Sequence, residues 1–355
     1  MSNFFKDLIN EIKDEDTTLA ADGSGSAEFT GFVDTGSYIL NAVFSGSIYG
    51  GIPNNKITAF AGESATGKTF FVLGVLRAFL DKNPTGGVVY YDTEAAVTKE
   101  MMEERGIDTT RVIISEPSTI QGFRHHALKT IDAYEKTPKD KRPPVMFILD
   151  SLGMMLTPTD VNQFEAGDMK GDMGRKPKAL TALVRNCVNM IGDLNIGLVA
   201  TNHTYASQDM FDPDDKISGG QGFIYASSIV VAMRKLKLKE DDEGNKISEV
   251  KGIRAACKIM KTRYAKPFES VQVKIPYETG MNPYSGLTDL IEAKGMLKKE
   301  GNSLVYTTTD GEVIKKFRKG WERNDDGCLD TVMKDIADNP RAISSHVPAE
   351  EEVTE

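Results

Sequence analysis

The sequence predicts an α/β fold with a mainly parallel central sheet and helices on both of its faces. Four short apolar runs are of the buried-strand type: Ile57–Ala61, Val88–Tyr91, Val145–Leu149 and Gly197–Thr201. Three longer segments with helical spacing lie between them: Phe70–Asp81, Ile120–Glu135 and Ala179–Leu194. Buried strands that alternate with helices are typical of parallel sheets, because each helix carries the chain back across a face of the sheet.

Residues 1–35 are predicted to be an N-terminal helix and linker. Apolar side chains recur at helical spacing within Phe4–Lys13, namely Phe5, Leu8, Ile9 and Ile12. The stretch from Ala20 to Ser26 has the composition of a flexible linker. A short amphipathic helix on such a linker cannot bury its apolar face alone, so we expect it to dock on its own core or on a neighbouring subunit.

The pattern changes after Ser227, where strands follow one another directly. They are predicted at Ile229–Met233, Ala255–Met260 and Ser270–Ile275, with a turn at Asp241–Asn245. The core is therefore expected to span residues 36–280. A small C-terminal region is expected at 281–340, followed at 341–355 by a disordered acidic tail that contains Glu350, Glu351 and Glu352.

Charge and cysteine content narrow the class of protein. The net charge of -9 argues against a simple nucleic-acid coat protein. Twelve Lys or Arg against six Asp or Glu nevertheless lie between Arg234 and Lys274, a run that is either solvated surface or a binding surface for nucleic acid. Three scattered cysteines, Cys187, Cys257 and Cys328, fit a reducing compartment. No apolar run is long enough for a bilayer and the N-terminus lacks a secretory pattern, so we expect a soluble, intracellular protein with no membrane partner.

A phosphate-binding motif follows the first predicted strand and opens the first long helix. Eight residues match the pattern G-x-x-x-x-G-K-[ST]: Gly62, Glu63, Ser64, Ala65, Thr66, Gly67, Lys68 and Thr69. The glycines allow backbone N–H groups to surround phosphates at the positive end of the helix dipole. Lys68 is expected to reach the β- and γ-phosphate oxygens, and the Thr69 hydroxyl to hold Mg²⁺. The predicted cofactors are therefore ATP and Mg²⁺.

Two carboxylates at strand ends extend this predicted site. Asp150 ends the run Val145–Leu149 and is expected to hold the metal through water beside the phosphate-binding loop. Glu94 lies just past Val88–Tyr91, and ligands of such sheets bind at the carboxyl ends of strands. Glu94 is thus placed to face the γ-phosphate and to orient or deprotonate the attacking water. The alternative for Glu94 is a carboxylate that caps a helix.

Five motifs occur in the order and spacing of RecA-type recombinases. They are Gly62–Thr69, Tyr91–Glu94, Leu149–Leu152, Gly219–Ser227 and Lys261–Phe268. The segments Ala200–Tyr205 and Gly280–Leu287 look most like the tailed-phage branch of that family, the UvsX recombinases. The resemblance runs from about Thr35 to about Trp321.

This resemblance implies a RecA-like P-loop core and an ATPase that forms helical filaments on single-stranded DNA. Such proteins search for a homologous double-stranded DNA and exchange strands with it. The family also works with a single-strand-binding protein and a loading mediator. For a phage protein, the expected compartment is the cytoplasm of the host cell.

The resemblance also assigns catalytic roles. Glu94 looks like the family's water-activating glutamate, and His203 stands where the family places a polar sensor that couples the γ-phosphate to the DNA loops. Lys261 and Arg263 resemble the pair that reaches across a filament interface to the neighbour's ATP. The alternative for these two is a pair of exposed strand charges, which their i, i+2 spacing also permits. Met101 occupies the position where relatives place a tyrosine against the adenine.

Two glycine-containing segments, at about 157–178 and 204–222, are predicted to be long loops that bind DNA. Each offers cations for phosphates and an apolar wedge that can insert between bases. Together with the resemblance, this predicts DNA contacts by Met173, Arg175, Lys176, Lys178, Arg185, Met210, Phe211, Gly219 and Gly220. Four aspartates in the second loop leave its phosphate contacts open: Asp209, Asp212, Asp214 and Asp215.

Two other functions use the same core. A ring helicase usually carries a substantial N-terminal domain, for which about thirty-five residues are too few. A recombination mediator or paralogue can lack hydrolysis, but the residues that hydrolysis needs are intact in this chain: Lys68, Thr69, Glu94 and Asp150. A mediator that retains hydrolysis stays open.

Overall fold

The computed structural model describes residues 4–12, 17, 19, 31–166, 178–183, 187, 194–205, 216–218, 221–240 and 245–338. Along them the strands are β1 (Phe32–Val33), β2 (Ile52–Pro53), β3 (Ile57–Gly62), β4 (Gly87–Asp92), β5 (Val112–Ser115), β6 (Val145–Asp150), β7 (Gly197–Asn202), β8 (Thr204–Tyr205), β9 (Lys216–Ile217), β10 (Ile229–Leu238), β11 (Gly252–Thr262), β12 (Ser270–Pro276), β13 (Lys298–Glu300), β14 (Ser303–Thr307) and β15 (Val313–Phe317). The helices are α1 (Phe4–Ile12), α2 (Tyr38–Ser45), α3 (Lys68–Lys82), α4 (Lys99–Glu103), α5 (Ile120–Glu135), α6 (Pro158–Glu165), α7 (Gln221–Ala226), α8 (Leu287–Ala293), α9 (Arg318–Arg323) and α10 (Cys328–Asp338). Residues 178–183 are also helical, within the predicted helix Ala179–Leu194, whose remainder lies largely outside the described residues.

An eight-stranded sheet forms the centre of the fold, in the order β12-β11-β10-β3-β7-β6-β4-β5. Neighbouring strands from β10 to β5 are parallel, whereas β11 is antiparallel to both β10 and β12. The prediction of a mainly parallel sheet is confirmed. Because parallel strands bring their carboxyl ends to one edge, the ends of β3, β4, β6 and β7 meet there.

Helices cover both faces of this sheet, as predicted. On one face α2 and α3 pack through Phe44, Phe60 and Phe71, with ring centroids 6.1 and 6.4 Å apart. On the other face α5 packs through Phe123, whose ring lies 4.6 Å from that of Tyr91. The central parallel strands β3, β4, β6 and β7 therefore bury side chains in both directions, which explains why these strands are continuous apolar runs.

The strands β10 and β11 are longer than the sequence patterns predicted. The apolar run Ile229–Met233 stops where charged residues begin, but β10 continues to Leu238 and pairs with β11 over its full length. Lys235 and Lys237 are exposed there. Residues 234–237 of β10 are all exposed, so this part of the strand is open to solvent on both faces and is not apolar.

The chain from residue 281 onward packs against the face that carries α2 and α3. Its strands β13, β14 and β15 form a small antiparallel sheet. Leu287, Trp321 and Leu329 are buried in the same apolar cluster as Phe60 and Phe71. The predicted domain boundaries stay predictions, and the predicted tail lies outside the described residues.

The N-terminal helix α1 matches the helical spacing predicted for Phe4–Lys13. None of its side chains is buried, and Phe4 and Phe5 are 68% and 62% exposed. An exposed apolar face on a short helix needs a covering surface to be stable. No helix in the described ranges combines the length and apolar composition that crossing a membrane requires.

Candidate active site

The phosphate-binding loop connects the end of β3 to the start of α3. Gly67 has a φ of +93° and Ala65 a φ of +60°, so the chain turns twice through the left-handed region before the helix begins. A Cβ atom on Gly62 would lie 2.5 Å from the carbonyl oxygen of Met233, so only glycine fits between β3 and β10. The loop is therefore held closely against β10 as it curls over the N-terminus of α3.

The ammonium of Lys68 lies inside this loop. Its Nζ atom is 2.9 Å from the Gly62 carbonyl oxygen and 2.7 Å from that of Glu63. Burial lowers the pKa of Lys68, while the nearby carboxylates of Glu94 and Asp150 act in the opposite direction. A buried cation beside backbone N–H groups at a helix N-terminus fits a bound polyphosphate.

Hydroxyl groups from three different elements hold Asp150. Its Oδ2 atom accepts hydrogen bonds from Thr69 Oγ1 and Tyr90 Oη, both at 2.8 Å, and its Oδ1 atom accepts one from Thr201 Oγ1. Tyr90 is on β4 and Thr201 on β7, the two strands that flank β6. Burial and the Asp150 charge raise the pKa of Tyr90, so this phenol remains a donor.

Asp150 and Thr69 fit the ligand preference of Mg²⁺, which takes one or two protein oxygens and completes its shell with water and phosphate oxygens. Within the residues that the structure describes there is no group of three or more His, Cys, Asp or Glu that could hold a metal ion alone. Phosphate oxygens of a bound nucleotide would complete the shell of a magnesium ion at this position. Sequence reasoning missed Tyr90 and Thr201, although their places at the ends of neighbouring strands could have indicated them.

Glu94 lies on the loop that follows β4, with one carboxylate oxygen shared by two partners. Oε1 accepts a hydrogen bond from Ser151 Oγ at 2.7 Å and lies 3.0 Å from His203 Nε2. The Glu94 and His203 side chains are 33% and 32% exposed. The helix-capping alternative fails, because α4 is capped by Thr98, whose side chain accepts from the Met101 N–H.

Asp92 fixes the path of the Glu94 loop. This buried carboxylate accepts hydrogen bonds from three backbone N–H groups, at 3.1 Å from Glu94, 2.9 Å from Ala96 and 2.9 Å from Val97. Thr93 adds a second connection, because its N–H donates to the Asp150 carbonyl oxygen at 2.7 Å. The carboxyl ends of β4 and β6 are thus joined by a backbone hydrogen bond as well as by the side-chain hydrogen bond between Ser151 and Glu94.

The residues around Met101 connect α4 to the first turn of α3. The Met101 carbonyl oxygen accepts a hydrogen bond from Arg105 at 2.8 Å, and the Arg105 guanidinium lies 5.6 Å from the centroid of the Phe70 ring. Phe70 directly follows Thr69. A contact between Met101 and an adenine stays a prediction.

His203 connects the Glu94 cluster to the base of the second predicted DNA loop. The His203 carbonyl oxygen accepts the Ser218 N–H at 2.9 Å, and Asn202 Nδ2 donates to the Ser218 carbonyl oxygen at 2.5 Å. The strands β8 and β9 pair on either side of residues 206–215. A displacement of His203 would therefore move the backbone at Ser218, at the base of this segment.

Lys261 and Arg263 lie away from the phosphate-binding loop of their own chain. Lys261 pairs with Val230, which pairs with Ala59, three residues before the loop starts at Gly62; this is on the order of 10 Å along the strand. Lys261 Nζ instead contacts the carbonyl oxygens of Ile224 and Tyr225, at 3.0 and 2.8 Å, at the end of α7. Burial, followed by the Arg263 charge, lowers the pKa of Lys261.

Most of the residues predicted to contact DNA lie outside the described residues; Lys178 is described. Lys178 is exposed at the start of the helical residues 178–183. The other predicted contacts are outside the described residues: Met173, Arg175, Lys176, Arg185, Met210, Phe211, Gly219 and Gly220.

The first predicted loop, 157–178, is helical over α6, which corrects that part of the prediction. The Thr157 N–H donates to Asp160 Oδ2 at 2.7 Å and the Asp160 N–H donates to Thr157 Oγ1 at 3.2 Å. These reciprocal bonds cap the helix, and Pro158 fits its first position because proline has no N–H to leave unpaired.

Comparisons with known proteins agree with this geometry. Residues 17–282 match the model of the RecA N-terminal domain. The "Recombination and repair protein" of Enterobacteria phage T4 is 26% identical over 323 residues, which cover 89% of this chain and 79% of that protein. "Protein RecA" of Streptomyces rimosus is 23% identical over 286 residues, 80% of this chain and 70% of that protein. "Protein RecA" of Cutibacterium acnes is 25% identical over 299 residues, 81% of this chain and 78% of that protein.

Proposed function

The chain belongs to the RecA family, and we propose that it is an ATP-dependent recombinase that assembles on single-stranded DNA, pairs it with a homologous double-stranded DNA and exchanges strands. The observation that supports this most is the meeting of Lys68, Asp150 and Glu94 at the carboxyl edge of the sheet, with His203 between Glu94 and the base of a predicted DNA loop. Recombination, repair and recombination-dependent replication are the processes in which such an activity would serve.

The residues of the site divide the work of ATP hydrolysis. Mg²⁺–ATP, when bound, supplies the phosphoryl group that water attacks. Backbone N–H groups of the loop from Gly62 to Thr69 and the Lys68 ammonium bind the phosphates, while Asp150 and Thr69 hold the metal. Glu94 orients the attacking water and accepts its proton at the carboxylate.

We assign His203 the task of coupling the site to DNA. Its imidazole contacts Glu94, and its backbone carries the base of the second loop through Ser218. An imidazole that turns toward a γ-phosphate oxygen would lose its contact with Glu94 and pull on Ser218. The predicted DNA loops would order in response, with Lys178 and the other predicted contacts on the DNA.

Removing the P-loop lysine tests the proposed function directly. We expect the wild-type protein to hydrolyse ATP much faster with single-stranded DNA than without it. The rate of Lys68→Ala with DNA should be at least about 100-fold lower than the wild-type rate, because a buried phosphate-binding cation is removed. Arg77→Ala, on the exposed side of the same helix, is the control. Hydrolysis by the wild type that is indifferent to DNA would contradict the recombinase and favour a mediator that retains hydrolysis.

We further propose that α1 docks on a neighbouring subunit and so builds the helical homo-oligomer. Its apolar side chains are exposed in the described chain, including Phe4, Phe5, Leu8 and Ile12. The segment Glu28–Phe32 is expected to join this contact. Docking on the helix's own core, the other interpretation of the sequence, receives no support from contacts among the described residues.

A charge on the apolar face of α1 is expected to weaken assembly. Leu8→Asp should reduce the affinity between subunits roughly tenfold or more, since burying one leucine contributes about 1.5–3 kcal/mol. Asn10→Asp adds the same charge to the polar face and is the matched control. Assembly on single-stranded DNA is followed by sedimentation and light scattering. Equal assembly by both variants would exclude α1 from the subunit interface.

Other partners and the place of action follow from this function. A single-strand-binding protein would compete for the same DNA, and a loading mediator would help the recombinase displace it. We propose that the protein acts where its DNA substrates are, in the host cytoplasm if it is a phage protein.

A further inference from the structure

A lysine outside the phosphate-binding motif contacts the tip of that loop. Lys235 Nζ donates a hydrogen bond to the Ser64 carbonyl oxygen at 2.9 Å, across 171 positions of sequence. The sheet register brings the two together. β10 pairs Met233 with Gly62 and then continues to Leu238, while the chain of β3 turns away into the loop. Lys235 is thus on the part of β10 that extends beyond β3 and lies beside the loop.

This contact acts on one peptide unit of the loop. Because a peptide is planar and trans, fixing the Ser64 carbonyl oxygen on the Lys235 side directs the Ala65 N–H to the opposite side of that peptide. Ala65 has a φ of +60°, in the left-handed region that a residue with a Cβ atom adopts at a cost. The Lys235 hydrogen bond is a contact from outside the loop that holds the peptide between Ser64 and Ala65 in this orientation.

The ammonium groups of Lys235 and Lys68 are also close enough to interact. Burial has the largest effect on the pKa of Lys68 and lowers it; the Glu94 and Asp150 carboxylates act against this, and the Lys235 charge lowers the pKa further by a smaller effect. A polyanion bound at the loop would stabilise both cations. This arrangement favours a polyphosphate at the loop, in agreement with the orientation of its backbone.

We propose that Lys235 is a positioning residue for the nucleotide: it holds the Ser64–Ala65 peptide so that the Ala65 N–H faces the phosphates. This inference rests on the proposed function, because it concerns the ATP site. It assigns to β10 a part in nucleotide binding that the motif Gly62–Thr69 alone does not contain. Lys235 acts through the loop backbone and touches no reacting atom.

The affinity for nucleotide tests this role. The dissociation constant of a fluorescent ATP analogue with Mg²⁺ is measured in the absence of DNA for wild type, Lys235→Met and Lys237→Met. Lys237 lies two residues farther along the same face of β10, and no hydrogen bond among the described residues connects it to the loop. We expect Lys235→Met to bind roughly ten- to hundredfold more weakly, the range for losing a hydrogen bond to a charged group, and Lys237→Met to bind like wild type. An unchanged dissociation constant in Lys235→Met overturns the proposal.

A second substitution separates positioning from simple charge attraction. Glycine adopts the left-handed conformation without strain, so Ala65→Gly should reduce the loss that Lys235→Met causes. If Lys235→Met causes the same loss with and without the Ala65→Gly substitution, Lys235 acts only by charge, and the positioning role is overturned. These outcomes are independent of the proposed function, which fails instead when wild-type hydrolysis ignores single-stranded DNA. Thermal unfolding of each variant checks that the fold is intact.

Discussion

Glu94→Gln is expected to reduce DNA-stimulated ATP hydrolysis by at least about 100-fold while ATP still binds. An amide has nearly the same shape as the carboxylate and can still accept the Ser151 hydrogen bond, but it cannot take a proton from water. The loop that carries residue 94 is fixed independently by Asp92, so its position should not change.

Two quantities are measured for each variant: the rate of ATP hydrolysis at saturating ATP, and the dissociation constant of a fluorescent nucleotide. Glu100→Gln, which changes an exposed carboxylate on α4, serves as the control. A Glu94→Gln rate within a few fold of wild type would remove Glu94 as the group that activates water. A lost affinity with an unchanged rate would show instead that Glu94 only shapes the binding site.

Lys261→Ala is expected to lower hydrolysis on DNA by about 1,000-fold, the lower range for a cation supplied in trans to a phosphoryl group. Within its own chain Lys261 lies well away from the phosphate-binding loop, so a direct action of its charge on the phosphates would have to come from a neighbouring subunit. Undiminished hydrolysis in Lys261→Ala would remove this step and leave Lys261 with its contacts at the end of α7 alone.

Mixing two inactive variants distinguishes action between subunits from action within one. Glu94→Gln subunits retain Lys261, and Lys261→Ala subunits retain Glu94. In an equal mixture, about one interface in four should combine an intact Glu94 with an intact Lys261, and hydrolysis should return in proportion. Failure of the mixture to regain activity, with both variants present in the same filament, would contradict a cation supplied by the neighbour.

Much of the sheet could be predicted from sequence because buried parallel strands are apolar throughout. Ile57–Ala61 and Val145–Leu149 have few other interpretations once a phosphate-binding motif and an aspartate follow them. The predicted strand Ile229–Met233 was shorter than β10. Lys235 and Lys237 interrupt the apolar pattern there, but β10 continues to pair with β11. A capped helix within the first predicted loop was missed because its apolar content is low, although Thr157 and Asp160 carry a cap signal.

The candidate site was predictable only in part, for a geometric reason. Lys68, Thr69, Asp150 and Glu94 belong to local motifs, so their spacing identifies them. Tyr90 and Thr201 act on Asp150 from neighbouring strands, and Lys235 acts on Ser64 from β10. Contacts of this kind depend on strand order and register, which a single sequence does not reveal.

The Lys261 contact at the end of α7 has a thermodynamic consequence for assembly. The Lys261 ammonium donates two of its three N–H groups to the Ile224 and Tyr225 carbonyl oxygens, so moving it fully onto a phosphate of another subunit would break these hydrogen bonds. If assembly takes Lys261 across the interface, forming that interface and releasing the end of α7 are linked equilibria, and each changes the other by the same factor. The helix α7 begins at Gln221, within the last residues of the segment 204–222. A DNA strand that draws α7 away from Lys261 would therefore strengthen the contact between Lys261 and the neighbour's nucleotide. Bound nucleotide would strengthen DNA binding by the same free energy.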